Sequence, residues 1–112
     1  MTTNPFSVTQ LDMAIYRTPT EVVVHCTGKI TSDTIQQLKA TVKPLFPESK
    51  TVLLDLTNVT YMDSSGLGAI VGLYVSAKAV ESRLTINLNE RLKESFSITR
   101  LGQLMAQDLL LP

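Results

Sequence analysis

Two early stretches of the chain alternate apolar with other residues and therefore predict a pair of strands. In LDMAIYR, which begins at Leu11, apolar side chains recur at every second position, and VVVHCTGKI is rich in β-branched residues. Pro19, in the intervening TPTE, suits the second position of a turn. The pattern predicts a β-hairpin, preceded by a polar lead-in over residues 1–10.

The rest of the chain alternates between helical and strand periods. TVLLDL is a nearly continuous apolar run, typical of a central strand covered on both faces, and RLTINL alternates as a strand does. Helical spacing is found in SDTIQQLKATVKPLF, in the segment from DSSG to about Val80, and in NERLKESFS. Asp33 with Gln36 predicts an N-cap with its capping-box partner, Pro44 predicts the end of that helix, and Asn89 predicts a cap for the last one.

The resulting order, β-β-α-β-α-β-α, predicts an alternating α/β fold with parallel pairing in its strand-helix-strand units. The chain has 112 residues and no internal repeat or low-complexity tract, so a single domain is expected over residues 11–112. A further short strand near residues 103–105, before the apolar end, is left open.

Composition and charge narrow the classes of function. Ten basic and ten acidic residues balance, which argues against a broad basic surface for nucleic acid or an anionic membrane. No signal-peptide pattern and no apolar run of membrane-spanning length is present in the sequence, so a cytoplasmic location is expected. Cys26 is the single cysteine, which excludes an intrachain disulfide or a cysteine metal cluster and predicts a buried, small apolar residue.

The helix after TVLLDL has an unusual composition on its outer side. A helical wheel gathers Leu67, Ile70, Val71, Leu73, Tyr74 and Ala77 toward the sheet. The opposite side carries Ser65, Gly68, Gly72, Ser76 and Ala79, with Ser64 at its N-terminal edge. Glycine on an exposed helix costs up to ~1 kcal/mol relative to alanine, so folding gives no reason for this side. It predicts a docking face that another backbone approaches closely, whereas Gly66 is expected to point inward against the preceding strand.

The start of the same helix allows two interpretations. Asp63, Ser64 or Ser65 suits the N-cap, and capping alone explains the presence of all three residues. Alternatively, the free amides and positive dipole end of a helix N-terminus tolerate a phosphate, and phosphorylation adds about two negative charges beside the docking face. The second interpretation predicts a docking face with a switch at its tip.

At these residues the sequence resembles a STAS domain, specifically the bacterial anti-sigma factor antagonists. The resemblance extends from about Leu11 to Met105 and rests on TGKI, VLLDLTNVTYMDSSGLGAIVGL and RLTINLNERLKESFSITRLGQLM, with DSSGLG as its most specific part. It implies a mixed four- to five-stranded sheet, built from the N-terminal hairpin and β-α-β units and flanked by helices mainly on one side.

The resemblance also implies a mechanism. Ser64 would be the phosphoacceptor of an anti-sigma factor serine kinase, which supplies the ATP, and a serine phosphatase would reset the system. Unphosphorylated antagonist binds the kinase and frees a sigma factor. Partner-binding positions would be Thr31, Ser32, Asp63, Ser65, Gly66, Leu67, Gly68 and Gly72.

The chain departs from well-known family members at two places. Lys29 and Thr31 stand where those members have an acidic residue after the second strand, and the C-terminal helix is curtailed to AQDLLLP. Whether this apolar end packs on the body, pairs with a second copy or frays is left open.

Other classes of function fit the residues less well. Ser64 lacks the glycine of a nucleophile elbow, because Met62 stands two residues before it, and His25 is the single histidine. The acidic residues show no metal-ligand spacing, and GLGAIVG matches neither nucleotide-binding pattern, so neither an enzyme nor a cofactor is expected. The remaining alternative is a non-switching STAS scaffold subunit of a stress-signalling or transporter-regulating assembly, which would keep the docking face and ignore Ser64.

Overall fold

The protein folds as one mixed sheet with its helices packed on one core. The structure is a computed structural model and describes residues 11–97 and 109–110. Its elements, in chain order, are β1 (Leu11–Arg17), β2 (Val22–Ile30), α1 (Ile35–Val42), a short 3₁₀ turn (Lys43–Leu45), β3 (Thr51–Met62), α2 (Ser64–Ala79), β4 (Arg83–Asn87), α3 (Glu90–Ser97) and β5 (Leu109–Leu110). The predicted element order is therefore confirmed.

The five strands lie side by side in their chain order. β1 and β2 form the expected antiparallel hairpin, and β2, β3, β4 and β5 pair in parallel. Because helices connect β2 to β3 and β3 to β4, this topology is the α/β arrangement that the sequence predicts. All parallel strands end at the same edge of the sheet, which we call the carboxyl edge.

One face of the sheet carries the hydrophobic core. Val24, Leu54 and Ile86 from three neighbouring strands are fully buried and belong to one cluster with Ile70 of α2 and Leu92 of α3. The alternating residues of β3 on the opposite face, including Leu53 and Asp55, are only half-buried. The expectation that β3 is covered on both faces is therefore wrong, because the helices of the described chain contribute to a single core.

β3 is also longer than its apolar run predicts. The strand continues through residues 57–62, in which polar and apolar side chains are mixed. These residues pair with the end of β2, beyond the part of β3 that pairs with β4. The register between β2 and β3 shifts twice along this extension, once between His25 and Thr27 and once between Gly28 and Lys29. The extension brings the end of β3 beside the loop that follows β2.

The first helix begins differently from the prediction. Asp33 does not cap it, and Gln36 is no capping partner: Thr34 occupies the N-cap position, without a side-chain bond to the helix. The Thr34 hydroxyl instead donates to the carbonyl of Lys29 at 2.9 Å and accepts from the amide of Thr31 at 3.0 Å. The buried hydroxyl closes the loop, while Asp33 is exposed.

The remaining helix boundaries follow the sequence. α1 ends at Val42, directly before the turn that contains Pro44. The Asn89 side chain caps α3 by accepting from the amide of Leu92 at 2.9 Å. The lead-in over residues 1–10 and the strand suggested near 103–105 lie outside the described residues. Among the helices that are described, none is long and apolar enough to span a membrane.

Candidate functional site

The first turn of α2 is held at the carboxyl edge by one carboxylate. Asp63 follows β3 with extended backbone angles, and its Oδ1 accepts from the amide of Gly66 at 2.8 Å. Its Oδ2 accepts from the amide of Ser32 at 3.4 Å, and its own amide donates to the carbonyl of Ile30 at 3.2 Å. Asp63 is therefore the N-cap among the three residues that the sequence left open, and it also ties the loop after β2 to the helix.

Ser64 and Ser65 are the first two residues of α2, and both are exposed. Because the Asp63 carboxylate occupies the cap, neither serine hydroxyl is needed to begin the helix. The Ser64 hydroxyl is thus presented to solvent at the positive end of the helix dipole, next to a carboxylate whose two oxygens are already engaged. A group transferred to Ser64 would meet no covering side chain.

Gly66 is buried because α2 approaches the strands very closely at this point. A Cβ atom at this position would lie 2.5 Å from the carbonyl oxygen of Ile30 and 2.7 Å from Cγ of Met62. The first contact is with backbone, which cannot rotate away. The inward orientation predicted for Gly66 is therefore confirmed. Glycine at this position allows α2 to pack closely against the ends of β2 and β3.

Gly68 and Gly72 are open, in contrast to Gly66. No atom outside the helix lies within 4 Å of a Cβ built at either position, so the fold does not require glycine there. Ser65 and Ala79 are also exposed, while Ser76 is half-buried. These five residues are named the small-residue face, and their placement agrees with the helical wheel except at Ser76.

Val75 was missed by the sequence reasoning although it stands on the same side of the helix. It lies seven residues after Gly68, which is close to two full turns, and its side chain is 60% exposed. The available signal was this spacing, because the helical wheel assigned Val75 to neither side of the helix. Val75 gives the small-residue face an apolar centre.

The loop after β2 contributes one exposed serine to the site. Ser32 is exposed, whereas Thr31 is only 9% exposed and its hydroxyl accepts from the amide of Asp33 at 3.3 Å. Thr31 therefore shapes the loop from within, and Ser32 is the residue whose side chain a partner could reach. The inward part of α2's first turn includes Leu67, which is half-buried and packs against the core.

The single histidine lies far from Ser64. His25 Nδ1 is 2.6 Å from Asp55 Oδ2 in the middle of the sheet, and its side chain is 46% exposed. Since Asp55 precedes the end of β3 by seven residues, Ser64 is roughly 20 Å further along. His25 is thus not placed to act as a base for Ser64.

Asp55 and Cys26 have perturbed pKa values with structural causes. Desolvation by burial acts to raise the pKa of Asp55. Hydrogen bonds from the hydroxyl and the amide of Thr57, together with the attraction of the neighbouring His25, outweigh that effect and hold the pKa of Asp55 below its ordinary value. Burial, reinforced by the charge of Asp55, raises the pKa of Cys26 to about 12. Cys26 is buried, as predicted, and Asp55 holds a turn within β3.

The described residues contain no group of three or more histidine, cysteine, aspartate or glutamate side chains arranged to hold a metal ion. The features at the carboxyl edge are instead an exposed serine, a capped helix end and a smooth face. Docking of a partner surface and covalent modification of the exposed serine are the functions that such an arrangement allows.

A family model described as "Mlab, STAS domain" matches residues 13–111. The chain therefore belongs to the STAS domain family, as the resemblance at DSSGLG predicts. The anti-sigma-B factor antagonist of Listeria monocytogenes is 34% identical over 84 residues, which cover 73% of this chain and 74% of that protein. The anti-sigma-B factor antagonist of Bacillus subtilis is 29% identical over 96 residues, which cover 85% and 88%.

Solved structures show the same fold. The Bacillus cell fate determinant SpoIIAA in its phosphorylated form has a TM-score of 0.67 at 19% identity, covering 88% of this chain and 89% of that chain. The anti-sigma factor antagonist SpoIIAA in its unphosphorylated form has a TM-score of 0.63 at 20% identity, covering 79% and 84%. Within the STAS domain family, the relatives named above are anti-sigma factor antagonists, which are regulatory proteins. The predicted family and the prediction that the chain is not an enzyme are confirmed.

Proposed function

We propose that this protein is an anti-sigma factor antagonist that works as a phosphorylation-controlled partner switch in the cytoplasm. With Ser64 unphosphorylated, it binds an anti-sigma factor serine kinase and thereby releases a sigma factor for transcription. Phosphorylation of Ser64 by that kinase ends the complex, and a serine phosphatase restores it. The observation that carries the proposal is that Ser64 is exposed directly beside the small-residue face. Its hydroxyl is not needed as the helix cap, because Asp63 fills that role.

The physical basis of the switch is a local change in charge rather than a change in fold. A phosphate on Ser64 would add about two negative charges at a helix N-terminus, where the dipole tolerates them. A partner surface that had settled against Ser65 and Gly68 would, however, face a bulky dianion next to the Asp63 carboxylate. Desolvating that charge without a cation costs several kcal/mol, so the complex is expected to dissociate.

The names of the similar proteins support this proposal. Two relatives above are antagonists of an anti-sigma factor, and the fold neighbour SpoIIAA is known in phosphorylated and unphosphorylated forms. The assignment of Ser64 as the modified residue, and of Ser32, Asp63, Ser65, Leu67, Gly68 and Gly72 as contacts, is proposed for this chain on those grounds. Thr31 and Gly66 are proposed to act indirectly, by shaping the loop and seating the helix.

Intact mass spectrometry tests the modification site. Protein purified from its native cells, with phosphatases inhibited, should contain a fraction about 80 Da heavier, the mass that phosphorylation adds. That fraction should disappear in Ser64→Ala and persist in Ser65→Ala, the matched control one residue away. A heavy fraction that persists in Ser64→Ala and disappears in Ser65→Ala would put the phosphate on the wrong serine and overturn the assignment.

A non-switching scaffold is the second candidate, because the glycines of the small-residue face do not depend on the serine at its tip. Under this candidate, Gly68→Arg would abolish partner binding while Ser64→Ala and Ser64→Asp would both leave it intact. Under the switch, Ser64→Asp weakens binding as well. Protein that is found only in its unmodified form across growth and stress conditions, with phosphatases inhibited, would also favour the scaffold.

A further inference from the structure

The outermost strand of the sheet, β1, has an open edge. Within the described part of the chain, β1 stands at the end of the strand order and pairs with β2 alone. Directly after the last strand pair, the amide of Thr18 donates to the carbonyl of Glu21 at 2.9 Å. Hydrogen-bonded and non-hydrogen-bonded pairs alternate along an antiparallel ladder, so the backbone groups of the even-numbered residues of β1 face β2. Those of the odd-numbered residues, such as Met13 and Ile15, therefore face outward.

β1 lacks the features that usually protect an edge strand. Proteins guard such edges with a charged side chain, a proline or a bulge, because free backbone groups otherwise pair with another strand. β1 contains no proline and no bulge, and its two charged residues, Asp12 and Arg17, lie near its ends. Its centre carries two large hydrophobic side chains next to each other, Ile15 at 36% and Tyr16 at 58% exposure. The edge is therefore suited to pairing with an added strand.

The side chains of this edge continue both faces of the sheet. Ile15 stands opposite the buried Val24, so it lies on the core face together with Met13, which is half-buried and packs against the core. Tyr16 lies on the other face, where its ring meets the ring of His25 edge-on, with 5.3 Å between the centroids. An added strand would bury apolar surface on the core face and meet an aromatic ring that is already positioned on the other.

The sequence of β1 is complementary to a second copy of itself. When two β1 strands pair antiparallel about a two-fold axis at Ala14, the whole strand overlaps with its counterpart. Met13 then faces Ile15 of the second copy on the core face, and their outward backbone groups form a hydrogen-bonded pair. On the other face, Tyr16 stands opposite Asp12 of the second copy. Apolar residues therefore meet across the axis on the core face.

The charges on β1 favour the antiparallel orientation. Asp12 lies near one end of the strand and Arg17 at the other, so antiparallel pairing sets the acidic end of each copy beside the basic end of the other. A parallel pairing would instead bring like charges together, which is destabilising. Because Arg17 already lies 3.3 Å from Glu48 in an exposed ion pair, we expect charge to determine the orientation more than the affinity.

We propose that the open edge of β1 is a self-association surface, on which a second copy of this chain adds its own β1 in antiparallel orientation to give one sheet that runs through both copies. The two-fold axis is perpendicular to the sheet, so the helices of both copies stay on one face and the two carboxyl edges point in opposite directions. Because α2 packs against β3 and β4, further along the sheet, Ser64 stays accessible in each copy. The inference is therefore independent of the proposed function.

Sedimentation equilibrium of the purified chain tests the association. A contact through one edge strand belongs to the small interfaces, so we expect a reversible monomer–dimer equilibrium with a dissociation constant of about 10–100 μM. Ile15→Lys places a charge at the centre of the edge and should weaken dimerisation at least tenfold. Val80→Lys, the same kind of change at an exposed residue that ends α2, is the matched control and should stay within twofold of the unmodified chain.

Disulfide trapping tests the register of the pairing. Ala14→Cys brings two sulfur atoms face to face at the axis, so mild oxidation should link the two copies covalently. Asp12→Cys, on the same strand and the same face, is the matched control. Position 12 faces position 16 of the second copy, so two cysteines at position 12 stand about 13 Å apart, beyond the reach of a disulfide. The native Cys26 is buried and should stay reduced in both variants.

A chain that remains monomeric at about 1 mM would overturn the inference and leave the edge to a strand from a different protein. Equal effects of Ile15→Lys and Val80→Lys, or equal crosslinking through Asp12→Cys and Ala14→Cys, would place the interface elsewhere and overturn it as well. Thermal unfolding shows which variants fold, and the two cysteine variants decide the question alone if Ile15→Lys does not. None of these results bears on Ser64, whose modification is tested by mass.

Discussion

At the scale of single residues, the glycines of α2 serve two opposite physical purposes. Gly66 is required by close packing, since a Cβ atom would strike the backbone of Ile30. Gly68 and Gly72 have open space around them, so packing within the fold does not explain why they are not alanine. The helical wheel anticipated this division, because orientation follows from periodicity alone.

Two single substitutions should therefore change stability in opposite directions. Gly66→Ala is expected to lower the free energy of unfolding by about 1–3 kcal/mol through overpacking. Gly72→Ala should raise it by up to ~1 kcal/mol, because alanine favours the helix. Urea denaturation measures both values. Equal effects of the two substitutions would contradict the assignment of Gly66 to packing and of Gly72 to an open face.

Hydrogen-bond partners were harder to predict than orientation. Asp63 was one of three candidate caps, and besides the cap bond from the Gly66 amide its second oxygen accepts from Ser32, a residue 31 positions earlier in the chain. Asp33 was predicted to cap α1, but the N-cap position is one residue later, at Thr34. The Thr34 hydroxyl bonds to the backbone of the preceding loop rather than to the helix. Local sequence proposes candidates for such bonds, and only tertiary contacts choose between them.

At the scale of elements, periodicity predicted the helices and the hairpin but not the full length of β3. Residues 57–62 mix three threonine or asparagine residues with a valine, a tyrosine and a methionine, so no continuous apolar run marks them as a strand. They are held by pairing with β2 and by Asn89, whose side-chain amide donates to the carbonyl of Val59 at 2.8 Å. The extension carries the chain to Asp63 and thus determines where α2 begins.

The junction between the loop and α2 should open when its carboxylate is removed. Asp63→Ala removes the acceptor for the amides of Gly66 and Ser32, and the lost cap should cost about 1 kcal/mol. Hydrogen exchange at both amides should accelerate. Asp33→Ala, which removes an exposed carboxylate from the same loop, is the control and should leave both rates unchanged. Unchanged exchange in Asp63→Ala would show that the carboxylate does not connect the two segments.

At the scale of the whole molecule, the fold collects separate stretches of the chain at one edge of the sheet. Parallel pairing brings the end of β2, the end of β3 and the start of α2 together, so Ser32, Asp63 and Ser64 become neighbours. The α/β order and the family motif predicted that the loop after β2 and the start of α2 lie close together. The register shifts between β2 and β3 were not predictable, since a bulge leaves no periodic signal in the sequence.

The proposed switch requires that charge at Ser64 controls a docking surface whose fold stays the same. Its most direct test is the affinity of the protein for the anti-sigma factor serine kinase of its own cells. Protein carrying phosphoserine at position 64 through genetic incorporation is compared with unmodified protein. The control carries phosphoserine in place of Thr20, an exposed residue in the hairpin turn at the opposite edge of the sheet.

We expect the phosphate at position 64 to weaken binding at least a hundredfold, with thermal unfolding unchanged within a few degrees and the control at position 20 binding as the unmodified protein does. A hundredfold loss corresponds to about 2.7 kcal/mol, well within what an uncompensated dianion in an interface costs. Affinity that stays within twofold when Ser64 carries the phosphate would contradict the switch, whatever the modification state found in cells.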